Sequence, residues 1–253
     1  DLCLTDAVGI DQLKQINMTL REGEIVGIAG VSGNGQSELL DVLSGIMAPT
    51  GGHFTVGTNQ ITAERPSNPA ELRDFGVAHV PEDRHKCGIV LPFSAAESMI
   101  LGYSGSDEED GGWWLSPSKL EESCAGRMRE FDIRPPIPKL QSANFSGGNQ
   151  QKIVLAREIS TQPKLLLVGQ PTRGVDIGAI EFIHKQLIAL RNKGCAILLV
   201  SVELDEIMSL SDRILVMNNG QIVGELARED ADETTLGLMM AGIGAEEKDA
   251  GSA

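Results

Sequence analysis

Short runs of Ile, Val and Leu alternate along the chain with longer segments in which apolar residues recur every three or four positions. The short runs are typical of strands buried on both faces of a sheet, and the longer segments are typical of amphipathic helices. The pattern predicts strands at 24–29, 77–80, 165–168, 196–200 and 213–217 and helices at 37–46, 147–160, 179–193 and 203–209. The chain is therefore predicted to have an α/β fold with a layered sheet.

Part of the first 60 residues shows a different pattern, in which apolar and polar residues alternate. This alternation occurs at 16–20, and residues 53–57 also have the composition of a strand. We expect these two segments to form antiparallel strands joined by the Gly51-Gly52 turn. They would make a β edge beside the main sheet.

Residues 81–145 differ from the flanking segments because prolines and glycines interrupt them. A helical run at 115–131 and a proline cluster at 135–138 predict a smaller helical lobe with irregular connections. The acidic run 107–110 is predicted to lie in a solvated loop, and we assign it no chemistry. The tryptophan pair 113–114 fits either a partner-docking spot or local core, and local core is the simpler interpretation.

The charge balance narrows the classes of function. The chain has 253 residues with 21 Lys and Arg against 36 Asp and Glu, which gives a net charge of −15. Nucleic-acid backbones are bound by clustered Lys and Arg, so this chain has no general surface for them and any phosphate must be held locally. No apolar run approaches the roughly 18 residues that cross a bilayer. The four cysteines lack metal-ligand spacing and are predicted to be reduced thiols.

A glycine-rich loop separates the first buried strand from the first helix, with the sequence Gly30-Val31-Ser32-Gly33-Asn34-Gly35-Gln36-Ser37. Glycines at this spacing let successive backbone N–H groups surround phosphate oxygens at the positive end of a helix. The phosphate-binding pattern has lysine before the serine, but here Gln36 donates hydrogen bonds and cannot neutralise charge. Taken alone, the loop fits a nucleotide site and a tight turn without ligand equally well.

A second helix start with anion-binding character has the sequence Ser146-Gly147-Gly148-Asn149-Gln150-Gln151-Lys152. A serine cap and two glycines leave backbone donors and a hydroxyl at the beginning of a helix. Taken alone, this segment also fits an ordinary capped helix. Its place in the chain matters, because a buried strand, a loop at 169–176 and a strand ending at Ser201 follow it.

In the order and spacing of six elements, the chain resembles the ATP-binding domains of ABC transporters over nearly its whole length. Phosphate loop, glutamine-loop region, signature, Walker B strand, D-loop and switch loop follow one another as in that family. Four segments are most similar to the second, degenerate ATPase domain of fused sugar or nucleoside importer proteins, above all the nucleoside importers: 35–39, 81–84, 170–174 and 178–184. The resemblance implies a P-loop NTPase core with an antiparallel β edge subdomain and a helical signature subdomain.

The resemblance also implies a domain organisation. Residues 1–241 would form one ABC ATPase domain, with the core and β edge in 1–80 and 163–241. The glutamine-loop region and helical lobe would occupy 81–162, and 242–253 would be a flexible tail. Because the chain begins without Met and resembles a second domain, we expect a first ATPase domain fused upstream of it.

Several positions depart from the family pattern, and all of them belong to one nucleotide site. The Walker B strand should end in Asp-Glu, which hold Mg²⁺ and polarise the attacking water, but these positions are Gly169 and Gln170. Ser201 stands at the switch-loop histidine and Glu82 at the glutamine-loop position. The expected stacking aromatic is missing from residues 2–15. We therefore expect a degenerate site with no intact catalytic residue and little hydrolysis of its own.

The resemblance still implies that this altered site binds ATP or ADP, with Mg²⁺ held weakly at Ser37. The predicted nucleotide contacts are Gly30, Ser32, Gly33, Asn34, Gly35, Gln36, Ser37 and Glu82. In dimers of this family, each signature segment closes over the phosphate loop of the opposite domain. The residues predicted to contact the partner domain's ATP are Ser146, Gly147, Gly148, Asn149, Gln150 and Asp176.

The expected partners are a second ABC ATPase domain and a membrane permease, with no nucleic acid. The chain would be cytoplasmic, peripheral on the inner face of the cell membrane, and would power nucleoside or sugar import. Two other functions stay open: a dimerisation module or sensor that binds nucleotide without hydrolysing it, and an ABC protein of translation or repair. The permease and an external binding protein, rather than this domain, would select the transported solute.

Overall fold

The computed structural model describes residues 1–103 and 116–243. The strands are β1 (Leu2–Thr5), β2 (Asp11–Ile16), β3 (Ile25–Ala29), β4 (His53–Val56), β5 (Asn59–Thr62), β6 (Val77–Val80), β7 (Leu165–Gly169), β8 (Ala196–Val200), β9 (Arg213–Asn218) and β10 (Gln221–Ala227). The α-helices are α1 (Gln36–Leu43), α2 (Pro69–Asp74), α3 (Ala95–Ser98), α4 (Pro117–Glu130), α5 (Gly147–Ile159), α6 (Ile177–Asn192), α7 (Leu204–Leu210) and α8 (Glu233–Met240). The five strands and four helices predicted from the apolar pattern are confirmed.

A six-stranded sheet forms the centre of the fold, in the order β10-β9-β3-β8-β7-β6. Strands β9, β3, β8, β7 and β6 are parallel, and β10 pairs antiparallel with β9. Every residue of β3 and β8 is buried, as expected for central strands that are covered on both faces. The loops that follow β3, β8 and β7 leave neighbouring strands at the same edge, which is where open α/β sheets bind ligands.

A separate cluster of buried hydrophobic side chains packs on each face of the sheet. Ile25 and Ala29 of β3 belong to one cluster, whereas Val26 and Ile28 belong to the other, because successive side chains of a strand point to opposite faces. The first cluster joins the sheet to α4, α5 and α6. The second joins it to α1, α2 and the strands β1, β2 and β5. Helices α1 and α5 are therefore fixed to opposite faces of one sheet.

The β edge has a different pairing from the predicted one. β2 pairs with β1, and β4 pairs with β5, so the predicted ladder between 16–20 and 53–57 was wrong. A two-residue turn that begins at Gly57, with φ 59°, joins β4 to β5. Because β4 and β5 are adjacent in sequence, they pair as a hairpin through this short turn. Gly51 instead forms an isolated antiparallel bridge with Cys3, which links the two ribbons.

The helical lobe contains α3, α4 and the beginning of α5. Helix α4 lies within the predicted run 115–131, with Pro117 at its first position. The acidic run 107–110, the tryptophan pair 113–114 and tail residues 244–253 lie outside the described residues. In the part of the chain that the structure describes, no helix is long and apolar enough to cross a membrane.

Candidate functional site

The glycine loop lies at the carboxyl edge of the sheet, between the end of β3 at Ala29 and the start of α1 at Gln36. Gly33 and Gly35 have φ angles of 88° and 103°, a region that residues with a side chain rarely adopt. Gly35 is the N-cap of α1, and no side chain of the described residues caps this helix start. The first N–H groups and the positive end of α1 therefore face the loop, which suits phosphate oxygens.

The Gln36 side chain folds back into the loop. Its Nε2 donates to the Val31 carbonyl at 3.1 Å, and its Oε1 accepts from the Asn34 N–H at 3.2 Å. Gln36 is 6% exposed, and a Cβ on Gly30 would overlap its amide nitrogen. Gln36 thus holds the loop from inside with a neutral group, and residues 30–37 contain no Lys or Arg.

The turn between β9 and β10 supports the loop from the side. The Asn219 N–H donates to Asn34 Oδ1 at 3.1 Å, and the Gly220 N–H donates to the Asn34 carbonyl at 3.0 Å. On β2, Lys14 Nζ donates to Asn219 Oδ1 at 3.1 Å. The sequence analysis predicted Asn34 but missed its supports Lys14, Asn219 and Gly220. The Asn-Asn-Gly segment at 218–220 indicates a hairpin turn but carries no signal of a contact with the glycine loop.

Ser37 and Glu82 meet at the first turn of α1. Ser37 Oγ donates to Glu82 Oε2 at 2.5 Å. The Glu82 side chain lies across the end of β7, where a Cβ on Gly169 would overlap Glu82 Cγ and lie 2.9 Å from Leu40 Cδ1. A hydroxyl and a carboxylate are oxygen ligands of the kind that Mg²⁺ takes beside nucleotide phosphates. These residues and the loop N–H groups therefore fit ATP or ADP with Mg²⁺.

The surroundings of this helix start are acidic. Burial raises the pKa of the Asp41 carboxyl above its usual value, and the negative charges of Glu38 and Glu82 raise it further, while Lys86 acts in the opposite direction. The pocket thus combines backbone donors with several carboxylates. A triphosphate would meet electrostatic repulsion there unless a cation accompanied it.

Gln170 and Ser201, at two positions where the resemblance implies catalytic side chains, bond instead to the backbone. Gln170 has a positive φ of 47°; its N–H donates to the Val200 carbonyl at 2.8 Å, and its Oε1 accepts from the Val202 N–H at 3.3 Å. Ser201 is 2% exposed, and its Oγ accepts from the Glu203 N–H at 3.1 Å. An amide and a hydroxyl cannot take a proton from water as a carboxylate or an imidazole does.

The second predicted phosphate contact lies at the start of α5, which Ser146 caps. Ser146 Oγ accepts from the Asn149 N–H at 3.4 Å and from Asn149 Nδ2 at 2.9 Å. A Cβ on Gly148 would lie 2.8 Å from Asp176 Oδ2, so glycine allows the D-loop to approach. Asp176 caps α6 through the Ala179 N–H, at 2.9 Å. Both cap residues, Ser146 and Asp176, are exposed, and Gly148 of the signature segment lies against Asp176.

The Gln150 side chain does not belong to this exposed surface. Gln150 is 5% exposed, its Nε2 donates to the Ser142 carbonyl at 3.0 Å, and its Oε1 lies 2.8 Å from His85 Nε2. Both ends of the amide are therefore bonded inside the chain. We correct its predicted role accordingly: the side chain supports α5 from within, because this helical position faces the interior and contact with a partner's ATP would break these bonds.

Arg84, to which sequence reasoning gave no contact, joins the glutamine-loop region to the signature segment. Its Nη1 donates to the Arg173 carbonyl at 2.8 Å, and a Cβ on Gly147 would lie 2.8 Å from its Nη2. Burial lowers the pKa of the Arg84 guanidinium; Asp83 opposes this and Arg173 adds to it. An arginine keeps its charge in proteins. A cation therefore lies beside the positive end of α5, which favours an anion there.

Comparison with known proteins gives one family. Residues 13–173 match the family described as ABC transporter. The chain is 40% identical over 252 residues to the guanosine import ATP-binding protein NupO of Bacillus subtilis. It is 41% identical over 242 residues to the glucose import ATP-binding protein TsgD13 of Haloferax volcanii. The alignments cover 100% and 95% of this chain but 48% and 44% of the relatives, so the chain spans about half their length.

A solved structure shows the same fold. It is described as the dimeric structure of a post-hydrolysis state of an ATP-binding cassette bound to ADP and Pi, and it aligns with a TM-score of 0.74. The alignment covers 90% of this chain and 96% of that chain at 22% identity. The predicted P-loop NTPase core with antiparallel β subdomains is therefore confirmed.

Proposed function

The chain belongs to the ABC transporter family of ATP-binding domains, and from this premise we propose that it forms one half of a two-site ATPase. Domains of this family bind ATP or ADP with Mg²⁺ and generally hydrolyse ATP. In the proposed role, the start of α5 completes a nucleotide site on a second ABC domain. The chain's own pocket binds nucleotide and hydrolyses it poorly. The assembly would consist of residues 1–241 of this chain, which form one ATPase domain, and a matching partner domain.

One contrast carries this proposal: the two helix starts keep different groups. At the start of α5, Ser146 and Asp176 are exposed, and Arg84 places a cation beside Gly147. In the pocket of the glycine loop, the side chains of Gln36, Gln170 and Ser201 are neutral and bond within the chain. The groups that would contact a partner domain's nucleotide match the family pattern, whereas those that would contact the chain's own nucleotide depart from it.

The start of α5 can contribute to catalysis without a titrating side chain. The first N–H groups of a helix have no partner inside the helix, and the Ser146 hydroxyl adds a further donor beside them. Donors fixed in advance around a developing negative charge lower the barrier, typically by about 10²- to 10³-fold in rate for each donor. Arg84 would add positive charge to the same surface.

The pocket of the glycine loop lacks the groups that hydrolysis needs. Gln36 supplies no charge for the outer phosphates, Gln170 cannot act as a base, and Ser201 offers only a hydroxyl that already bonds to the backbone. A single general base contributes about 10²- to 10⁴-fold in rate. Even with strong non-additivity, the combined loss leaves a pocket for binding rather than turnover.

The transport role is part of the same proposal. The names of the two relatives specify guanosine import and glucose import, so we propose nucleoside or sugar uptake for the assembly to which this chain belongs. Importer ATP-binding subunits work with membrane permease components. We therefore place the chain in the cytoplasm, on the inner face of the membrane, with a permease and a second ATPase domain as partners.

The proposal is tested by measuring ATP turnover of the 253-residue chain alone and after mixing it with a partner ABC domain. The partner should have lysine in its phosphate loop, Asp-Glu at the end of its Walker B strand and a switch-loop histidine. We expect little phosphate release from the chain alone and a large increase in the mixture. Turnover by the chain alone that equals turnover of the mixture would overturn the proposal.

The degenerate pocket also favours a second candidate, a nucleotide-dependent dimerisation module. The internal hydrogen bonds of Gln36 and Gln170 would preserve a binding pocket without any chemistry. Calorimetry and phosphate release on the same paired assembly separate the two functions. ATP that binds tightly and stays intact in the full pair supports the dimerisation module, whereas turnover in the pair supports the half-site ATPase.

A further inference from the structure

A polar contact joins α6 to α7 away from both helix starts described above. His184 Nε2 lies 2.9 Å from Glu206 Oε1, and the two side chains are 23% and 4% exposed. An ionised carboxylate only accepts hydrogen bonds, so Nε2 is the donor when Glu206 carries its charge. The other oxygen, Glu206 Oε2, is buried and has no hydrogen-bond partner within the described residues. The contact therefore satisfies only half of a buried carboxylate.

Stability does not account for this pair. Burial of a carboxylate costs free energy unless hydrogen bonds replace the lost water, and one oxygen of Glu206 has none among the described residues. Replacing a buried polar pair by apolar side chains is often neutral or stabilising. Ile183 on α6 and Ile207 on α7 are already fully buried in one apolar cluster. The pair therefore fixes the position of one helix relative to the other, whereas apolar contacts hold both helices to the sheet.

Helix α7 is attached to the switch segment of the chain's own pocket. The Glu203 N–H donates to Ser201 Oγ at 3.1 Å, and the Glu206 N–H donates to the Glu203 carbonyl at 3.1 Å. The Val202 N–H donates to Gln170 Oε1 at 3.3 Å, which ties the same segment to the end of β7. A nucleotide that displaces Ser201 or Gln170 would therefore displace the first turn of α7, and Glu206 with it.

Helix α6 begins at the segment that approaches the signature. Asp176 caps this helix through the Ala179 N–H, at 2.9 Å. A Cβ on Gly148 would lie 2.8 Å from Asp176 Oδ2, so the cap lies against the start of α5. From Asp176 to His184 an α-helix rises by about 12 Å. A displacement of α6 at His184 would therefore reach the surface that faces the partner domain's nucleotide.

We propose that His184 and Glu206 are positioning residues that couple nucleotide in the chain's own pocket to turnover at the partner domain's site. Neither residue is assigned a contact with nucleotide. Their contact makes α6 follow α7, so that a change at Ser201 reaches Asp176. This role rests on the proposed function, because it requires both nucleotide sites of the pair. It goes further in giving the altered pocket an effect on the site that hydrolyses ATP.

The main test replaces the polar pair by apolar side chains in His184→Phe/Glu206→Leu. This change removes both the hydrogen bond and the unpaired oxygen, so we expect stability to urea to equal or exceed that of the unaltered chain. Mixed with a competent partner domain, the double variant should show a kcat lower by about tenfold and an unchanged KM for ATP. A purely structural pair would leave kcat unchanged once stability is retained.

Two further variants show whether the hydrogen bond itself matters. His184→Gln keeps a donor for Glu206 Oε1, so turnover should stay within about twofold of the unaltered chain. The matched control is Glu181→Gln/Lys185→Gln, also on α6, where the ion pair of 2.6 Å joins side chains that are 70% and 71% exposed. Exposed pairs contribute little, so this control should leave both stability and turnover unchanged.

Amide hydrogen exchange of the chain alone gives a readout that needs no turnover. In the unaltered chain, ATP should slow exchange at 201–206 and also at 177–184 in the first turns of α6. In His184→Phe/Glu206→Leu, only the first of these segments should respond. Bound ATP that leaves exchange at 177–184 unchanged in the unaltered chain overturns the coupling, and this result stands even where the double variant does not fold.

The outcomes distinguish this role from the proposed function. A chain that binds no ATP, or a mixture with the partner domain that shows no turnover, overturns both. Turnover of the apolar double variant that equals that of the unaltered chain overturns only the coupling, as does a loss in His184→Gln as large as in the double variant. Circular dichroism of each variant checks folding.

Discussion

Helices α1 and α5 both begin with backbone N–H groups that lack partners within the helix, but the side chains around the two helix starts differ. Each start directs free N–H groups to a glycine-containing segment, which is enough to attract an anion. At α1, the Gln36 side chain is buried and bonds within the glycine loop, whereas at α5 the capping Ser146 is exposed. In the proposed function, both helix starts bind phosphate through backbone N–H groups, and only the start of α5 contributes to turnover.

The charges around the two helix starts also differ. The carboxylates of Glu38, in the first turn of α1, and of Glu82 lie close enough to Asp41, in the next turn, to raise its pKa, whereas the Arg84 guanidinium lies beside Gly147 at the start of α5. From these charges we expect a polyphosphate at the first start to require an accompanying cation and one at the second start to bind without it.

The largest effect is expected at Gly148. In Gly148→Ala, the new Cβ would lie 2.8 Å from Asp176 Oδ2 and 3.0 Å from the Ala179 Cβ, so the D-loop must move away from α5. We expect turnover of the chain mixed with a competent partner domain to fall by about 10²- to 10³-fold, as when one donor to a developing charge is lost. ATP binding by the chain alone should not change. Phosphate release and calorimetry measure the two quantities.

The matched control for this prediction is Gly126→Ala on α4. Apart from its chain neighbours and helix backbone, no atom of the described residues lies within 4 Å of a Cβ on Gly126, so the alanine meets open space. Turnover of the pair should stay unchanged, and stability should rise by up to about 1 kcal/mol from helix propensity. Equal turnover in the Gly148 and Gly126 variants would contradict the assigned role of the α5 start.

The second prediction concerns the packing of α5 against β6, which we expect to weaken in acid. A buried ion pair joins Arg157 Nε to Glu158 Oε1, at 2.7 Å, near the C-terminus of α5. Glu158 also accepts a hydrogen bond from the backbone N–H of His79 on β6. Burial lowers the pKa of His79 to about 4 from its ordinary value of 6.5, although Glu158 acts in the opposite direction. The unfolded chain therefore takes up this proton at higher pH than the folded chain. Stability is lost as the pH falls from about 6.5 to about 4, by about 3 kcal/mol in total.

Urea unfolding across this pH range checks the second prediction. The change His79→Phe removes the titrating group while retaining a buried ring, and we expect a smaller loss of stability between pH 6.5 and pH 4 than in the unaltered chain. Amide hydrogen exchange should also increase in α5 and β6 before it increases in α1. The same pH dependence in both chains would show that His79 does not govern this transition.

The smallest effect is expected at the cap of α5. In Ser146→Ala, the helix loses the acceptor for the Asn149 N–H, and we expect a loss of about 1 kcal/mol in the free energy of unfolding. Turnover of the pair should fall by only about tenfold, the equivalent of one ordinary hydrogen bond, because the backbone N–H donors of the helix start remain. Chemical denaturation and phosphate release measure these effects.

A second serine provides the control for the cap. Ser116 is the N-cap of α4, but within the described structure its side chain makes no capping hydrogen bond. Ser116→Ala should therefore change stability by less than about 0.5 kcal/mol, as expected for a surface position without a cap, and should leave turnover of the pair unaffected. A loss of stability as large as that of Ser146→Ala would contradict the comparison.

Much of the fold could be predicted from the sequence because its signals are local. The central strands β3 and β8 are continuous apolar runs, which indicate burial on both faces before any pairing is known. The glycine loop and the cap of α5 were also visible, since turn and cap chemistry depends on a few adjacent residues. The pairing of β1 with β2 was missed because several segments of similar composition compete for a short edge strand.

Within the candidate site, the sequence by itself determined which groups are present: a neutral Gln36 in the loop, glycine at 169, glutamine at 170 and a serine cap at 146. Only the tertiary structure decided what these groups touch. It placed Glu82 in the space beside Gly169, turned Gln150 into the interior and brought Arg84 to the signature segment. The physical reason is that such contacts join residues distant in sequence, so they depend on how the packed elements share a limited volume.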